Sequence, residues 1–413
     1  MSERVAVVGG GIIGITTAWY LRQAGYDVVV LDRSTIGGAC SHGNCGLVCP
    51  SHVLPLTEPG AFKTAIKSLL NPGGAFRVKP RLDPALWTWM WKFARRCNER
   101  DMLEAAHPIA AILGTSMSEY ERLVADESIE CEWQKKGLLF VYKSGREWDA
   151  FEPTNRILDE QFDEPARRLD SAQTVALEPA LLPSVAGSWY YEHDAHLRPD
   201  RLISSLRRRL ESDGVEFRDN CSFESFAGSG HATRMKTSTG EIEFDSCVVA
   251  CGAWSPKLNE QLGVRVPIEP GKGYSLTMPR PANCPDIPMI FPEHRVAVTP
   301  MQSAYRLGSI MEFAGWNEEI QPNRLSLLKT GAEHYLHQPH TDTVQETWFG
   351  WRPMTPDSLP IIDRCPGWRN VWLATGHNML GLSMAPGTGK LVSELIAGRS
   401  PHIDPKPYRF ERW

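Results

Sequence analysis

The chain holds ten cysteines in 413 residues, yet no two of them stand at CxxC spacing. The cluster Cys40, Cys45 and Cys49 has neither the spacing nor the histidine pairing of a zinc site. No metal centre is therefore expected, and the cysteines read as reduced thiols acting as small apolar residues. No uninterrupted apolar run is long enough to cross a bilayer. The first strand begins almost at once and leaves no room for a signal peptide, so a cytoplasmic protein is expected. A basic field is missing too: 44 Lys and Arg face 49 Asp and Glu, for a net charge of −5, which excludes the electrostatic footprint of a nucleic-acid binder. Internal repeats and low-complexity runs are absent. What remains is a chain with 42% hydrophobic residues, long enough for two or three domains around a substantial core.

The glycines are the first positive signal. In VAVVGGGIIGITTAWYL an apolar β-branched run (residues 5–8) passes through glycines into a helical pattern (residues 12–21). Gly9, Gly11 and Gly14 fit the GxGxxG dinucleotide pattern: a tight turn, backbone access to a pyrophosphate, and helix against strand. The pyrophosphate would rest on the helix N-terminus, where free N–H groups and the helix dipole favour an anion. A second apolar strand (residues 28–31) ends at Asp32, placed as the acid that receives the adenosine ribose hydroxyls.

Further along, SHGNCGLVCPS (residues 41–51) is a polar, glycine-rich loop, where Gly43, Asn44 and Gly46 suit tight backbone near a ligand. Residues 55–132 read as mainly helical, with Pro55, Pro59, Pro72, Pro80 and Pro84 breaking the first half. Within them ALWTWMWKFARRC (residues 85–97) has two readings, an amphipathic helix packed on its own protein or an element lying in a membrane interface. Residues 246–251 form a buried strand running into a glycine turn. Between 264 and 345 the texture becomes that of an antiparallel sheet, and the chain then returns with strand, glycine-rich turn and helix in NVWLATGHNMLGLSMAPGTGKLVSELIAG. The expected fold class is α/β, or two-domain α+β: a Rossmann-like domain of discontinuous segments (1–85, 150–263 and 346–413) with an antiparallel-sheet substrate domain (86–149 and 264–345).

VVGGGIIG, SHGNCGLVCPS, VVACGAWSPKLNEQLGVRVPIEPGKGYSL, GWRPMTPDSLPIID and ATGHNMLGLSMAPGTGKLVSELIAG together resemble the flavin-dependent D-amino-acid oxidase family, which includes glycine and sarcosine oxidases and bacterial D-amino-acid dehydrogenases. The resemblance covers nearly the whole chain, and the asparagine-glycine loop followed by PSHVLPLTEPG is most similar to the dehydrogenase branch. It implies FAD as cofactor and D-amino acids as substrate class. It places Gly9, Gly11, Gly14, Asp32 and Arg33 on the ADP half of FAD. Ser41, His42, Asn44 and Gly46 would line the pyrophosphate and flavin edge, Ala250, Gly252 and Trp254 the middle of the cofactor, and Gly376, Gly381, Leu382 and Ser383 the closing segment.

Arg352 would bind the substrate carboxylate, since a guanidinium offers two parallel donors and is always charged; the competing reading is a salt bridge with Asp357. Tyr274 would donate a second hydrogen bond to that carboxylate or else pack in a sheet. His377 would touch the flavin or the substrate amine or serve as a hydrogen-bonded structural residue. Met354, near where covalent-flavin relatives carry a linking cysteine, implies non-covalent FAD.

The expected reaction is oxidation of the CH–NH bond of a D-amino acid, D-proline or a hydroxy-D-proline included. Hydride would pass to flavin N5, and the imino acid would hydrolyse to a 2-oxo acid and ammonia. The electron acceptor is a quinone, another acceptor or oxygen, with at most peripheral membrane contact. A glycine or sarcosine-type oxidase on the same fold, a NAD(P)-dependent enzyme, and a flavin subunit needing a partner stand as alternatives.

Overall fold

The computed structural model describes residues 2–69, 74–126 and 128–413; Pro72 lies outside the described residues. A six-stranded sheet is assembled from chain segments far apart in sequence, in the spatial order Ile361–Arg364, Val371–Thr375, Ser246–Val249, Arg4–Val8, Asp27–Leu31, Glu216–Arg218. Five strands run parallel and the edge strand Ile361–Arg364 runs antiparallel. The central strands are buried on both faces, which is why Arg4–Val8 and Asp27–Leu31 read as continuous apolar runs rather than alternating ones. Helices Ile12–Gln23 and Ala385–Ile396 cross closely on one face. A Cβ at Gly389 would come within 2.6 Å of the Thr16 carbonyl oxygen, and the Thr16 hydroxyl donates to the Ala385 carbonyl at 3.0 Å.

A nine-stranded sheet forms the second layer, in the order Glu346–Met354, Glu269–Met278, Tyr305–Phe313, Val296–Pro300, Met289–Phe291, Leu138–Tyr142, Gly187–Tyr191, Arg167–Asp170, with Phe76–Val78 paired to Tyr305–Phe313. It is antiparallel except where Met289–Phe291 meets Leu138–Tyr142 and where Phe76–Val78 joins. Four of these strands fall in stretches that the sequence reading gave to the nucleotide domain, Phe76–Val78 among them. Arg167–Asp170 and Gly187–Tyr191 extend the large sheet beside Leu138–Tyr142, and Glu346–Met354 is its edge against Glu269–Met278. The cause is cross-strand packing, with Phe140 set against Tyr191 at 5.3 Å, and period-two patterning carries no record of which sheet a strand joins.

Helix Pro84–Arg96 buries Leu86, Trp89, Met90 and Phe93, so the packed reading of residues 85–97 holds for that face; Trp87 and Trp91 on the other face are exposed. Among the described residues no helix is long and apolar enough to cross a membrane.

Candidate active site

At the carboxyl end of Arg4–Val8 the three glycines have different jobs. Gly9 has φ +111°, and a Cβ there would lie 2.5 Å from the Ala250 carbonyl oxygen. A Cβ on Gly14 would overlap the Gly9 carbonyl. Gly11 is constrained by neither: its φ is −73°, and a Cβ would meet only the Ser41 hydroxyl at 3.5 Å. The protein itself does not need a glycine there. A ligand at the helix N-terminus would, because a methyl group would stand between it and the backbone.

Asp32, at the end of the second strand, accepts from Gly10 N at 2.8 Å on one oxygen and from Ser34 N and Oγ at 2.9 Å on the other. Its carboxylate is thereby fixed on the wall of a cavity of about 480 Å³ that runs along the carboxyl ends of the parallel strands, the crevice where open α/β sheets bind ligands.

Gly9, Gly11, Arg33, Ser41, Asn44, Ala250, Gly252 and Trp254 line the same cavity, as do Tyr274, Arg352, His377, Gly381, Leu382 and Ser383. The Arg33 guanidinium lies 4.3 Å over the Trp254 ring. Of the lining side chains Arg33, Lys257 and Arg352 are cationic and Asp32 is the acid, a balance that favours an anionic occupant. Four expected residues lie off the wall. Gly14 packs helix on strand. Gly46 leaves room for the Leu197 carbonyl, and Gly376 for Thr355 Cγ2, which a Cβ would approach to 2.6 Å. The His42 imidazole pairs with Glu346 at 2.7 Å. The loop they belong to is pinned from behind, where Arg306 donates to the carbonyls of Asn44 at 2.6 Å and His42 at 3.3 Å. Ser383 ties it to the closing segment, accepting from Cys49 N and donating to the Leu47 carbonyl.

Arg352 does not pair with Asp357, whose carboxylate is taken by Arg412 at 2.7 Å. Its Nη1 and Nη2 donate instead to the carbonyls of Ile310 and Ser309, each at 3.1 Å. Those carbonyls face it because the strand Tyr305–Phe313 slips register opposite Lys272 and Tyr274. The irregularity puts Ser309 and Ile310 at φ +99° and +38°, conformations that cost free energy in non-glycine residues. Gly273 clears the space, since a Cβ there would collide with the guanidinium. Desolvation pulls the Arg352 pKa down from its ordinary value, and no carboxylate among the described residues pairs with it. The fold has built a cationic fork facing a cavity without an internal counter-ion. A guanidinium has five N–H donors and two are committed, leaving others for an incoming carboxylate.

The Tyr274 hydroxyl donates to Glu312 at 2.9 Å, inside a cluster with Arg77 and Arg324; its phenol pKa is raised, first by burial and then by that carboxylate. His377 shares a hydrogen bond with the Thr388 hydroxyl at 2.9 Å, and burial lowers its pKa to about 3, so the imidazole is neutral.

The reading of residues 41–51 passed over a second cluster on the wall. Cys49 and His52 line the cavity and, with Asp194, place one donor atom each within 4.8 Å of one another. The short ladder Leu47–Val48 with Ala195–His196 brings them together. Nothing in sequence links positions this far apart.

The Gly11 clearance, fixed Asp32 and elongated electropositive cavity fit FAD. The comparisons agree. The chain is 33% identical over 417 residues to a D-amino acid dehydrogenase of Paramagnetospirillum magneticum, covering 97% of this chain and 96% of that one. It is 30% identical over 421 residues to a D-amino acid dehydrogenase of Agrobacterium fabrum, covering 99% of each. In fold it is similar to glycine oxidase from Geobacillus kaustophilus, with a TM-score of 0.77, 20% identity and full coverage of both chains. L-proline dehydrogenase from P. horikoshii gives 0.75 at 19% identity, covering 100% of this chain and 98% of that one. The DAO family model, described as FAD dependent oxidoreductase, matches residues 4–395, and the chain belongs to that family of FAD-dependent oxidoreductases.

Proposed function

We propose that the protein is a D-amino-acid dehydrogenase that oxidises the CH–NH bond of D-amino acids, cyclic D-prolines included, to imino acids. The observation that carries this reading is Arg352: a desolvated guanidinium on the cavity wall, held by two backbone carbonyls and lacking an acidic partner among the described residues. It fixes the substrate carboxylate, and with it the direction of the Cα–H bond. Gly9, Gly11, Asp32, Ser41 and the 376–383 segment would hold FAD, which when bound supplies the two-electron acceptor for the substrate carbon. Neutral His377 braces the closing segment through Thr388, and Tyr274 serves the Glu312 cluster rather than the substrate. Binding in a desolvated pocket supplies orientation and excludes water. FAD would be held without a covalent link: Met354 stands near where covalent-flavin relatives carry a cysteine, and burial raises the pKa of the cavity cysteines Cys40, Cys45, Cys49 and Cys251, Cys40 to about 11 and Cys251 to about 12.

The test is anaerobic bleaching of the flavin band by single D- and L-amino acids, D-proline and sarcosine. Bleaching by D- but not L-amino acids supports the reading. Formaldehyde from sarcosine would favour the glycine or sarcosine oxidase alternative, and a yellow protein that nothing bleaches would favour a subunit that needs a partner.

A specific face favours a quinone in an anionic membrane surface as the acceptor. Leu82, Trp87, Trp91 and Trp413 are four of the seven large apolar side chains exposed among the described residues. They are joined by Trp87 donating to the Arg81 carbonyl, Arg95 over Trp91 and Lys92 near Trp413. Residues 61–96 hold eight Lys and Arg against one acid, Asp83, in a chain of net charge −5; Arg77 and Arg81 are spent on Glu312 and Glu269, and the other six lie outside those two pairs. Tryptophan with surrounding cations is the composition of an interfacial membrane contact.

A further inference from the structure

We propose that His52, Ser51 and Asp194 form a proton relay that takes the proton from the substrate ammonium, leaving the amine nitrogen with its electron pair for oxidation. This rests on the amino-acid reading above. The His52 ring lines the cavity against the edge of Phe140. Its Nδ1 lies 3.3 Å from the Ser51 hydroxyl, which donates to Asp194 Oδ2 at 2.7 Å. Nε2, with no hydrogen-bond partner among the described residues, is the nitrogen left for a ligand.

The step balances. The ammonium proton goes to Nε2, the Nδ1 proton to Ser51 Oγ, the Ser51 proton to Asp194, and the carboxylate becomes a carboxylic acid. The imidazole is neutral before and after and has only exchanged tautomers. Burial requires this, since it lowers the His52 pKa to about 4 and disfavours imidazolium.

Asp194 is suited to be the terminal acceptor. It is wholly buried, and it accepts from Ser51 N at 3.3 Å and from the Cys49 thiol as well as from the Ser51 hydroxyl. Desolvation raises its pKa to about 7 against the pull of those hydrogen bonds. The titratable groups that act on it are Cys49 and Glu164, and Glu164 is itself met by His193 at 3.8 Å; Tyr191, beside it, is surrounded by Tyr142 and Glu58, and no ion pair reaches Asp194 among the described residues. A carboxylate so placed gains by taking up a proton, and an ammonium beside the Arg352 cation gains by losing one.

The relay has a signature independent of turnover. With Asp194 ionised, Ser51 donates to it and Nδ1 carries the imidazole proton; with Asp194 protonated the chain reverses and Nε2 carries it. Nitrogen NMR of the FAD-loaded enzyme is expected to see His52 neutral throughout and changing tautomer near pH 7, a change that Asp194→Asn abolishes. In stopped flow, the limiting rate of flavin reduction is expected to rise through the same pH. His52→Gln should lower that rate roughly 100-fold at pH 7, the lower end of typical general-base effects, with recovery as the pH approaches that of free amine deprotonation. A single His52 tautomer at all pH, an imidazolium titrating near neutrality, or a His52→Gln loss equal at every pH would each overturn the relay. If wild-type flavin is reduced by no amino acid, it is the amino-acid reading that fails.

Discussion

Replacing Arg352 tests the proposed reading most directly. Two charge-assisted hydrogen bonds to a carboxylate are worth about 1.5–3 kcal/mol each, so Arg352→Met removes roughly 3–6 kcal/mol of binding. At about 1.4 kcal/mol per decade, kcat/KM for D-amino acids is expected to fall roughly 10²- to 10⁴-fold. Arg352→Lys keeps the charge but loses the fork, and is expected to fall between wild type and Arg352→Met. The fold should survive. Arg352→Met takes one donor each from the Ser309 and Ile310 carbonyls, at up to about 1–3 kcal/mol each, but also removes a cation buried without an acid among the described residues, and the two effects oppose. The assay is anaerobic flavin reduction by a D-amino acid beside its carboxamide, which has no charge for the guanidinium to meet. A loss confined to the carboxylate substrate supports the assignment; an equal loss on the carboxamide, or under tenfold on the acid, refutes it.

Gly11→Ala is expected to leave the melting temperature of the FAD-free protein unchanged while abolishing FAD retention on gel filtration, whereas Gly14→Ala, which collides with the Gly9 carbonyl, should lower stability itself. Tyr274→Phe takes a hydrogen bond from buried Glu312, so denaturant titration should register a loss of about 1–3 kcal/mol with KM for D-amino acids unchanged. The raised pKa of Asp194 means the folded state binds the extra proton, so this group's contribution to stability is full below the unfolded value near 4 and lost as pH rises through about 7; Asp194→Asn should therefore gain more in melting temperature at pH 8 than at pH 5. Trp87→Ser with Trp91→Ser is expected to weaken sedimentation with vesicles containing phosphatidylglycerol and to leave reduction by D-amino acids unchanged; undiminished binding would remove the membrane face.

Sequence alone determined where the glycine turn and its acid stand on the cavity wall. A strand, a glycine turn and a helix are local, so GGGIIG followed by an acid at residue 32 carries its geometry in about thirty residues, and Gly9, Gly11 and Asp32 stand where that pattern puts them. Arg352 and the closing 376–383 segment were legible through the family resemblance rather than through periodicity. Tertiary structure decided the rest, because it joins residues with no sequence relationship. Asp357 is matched with Arg412 and not Arg352. Two strands from the middle of the chain join the large sheet, since strand patterning names a face and not a neighbour. The carbonyls of Ser309 and Ile310 reach Arg352 through an irregular strand pairing that no composition signals. Asp194 meets Ser51 across 143 positions only because Leu47–Val48 pairs with Ala195–His196. Local backbone chemistry is written in neighbouring residues, whereas the partner of a buried charge is fixed by which segments the folded core brings together.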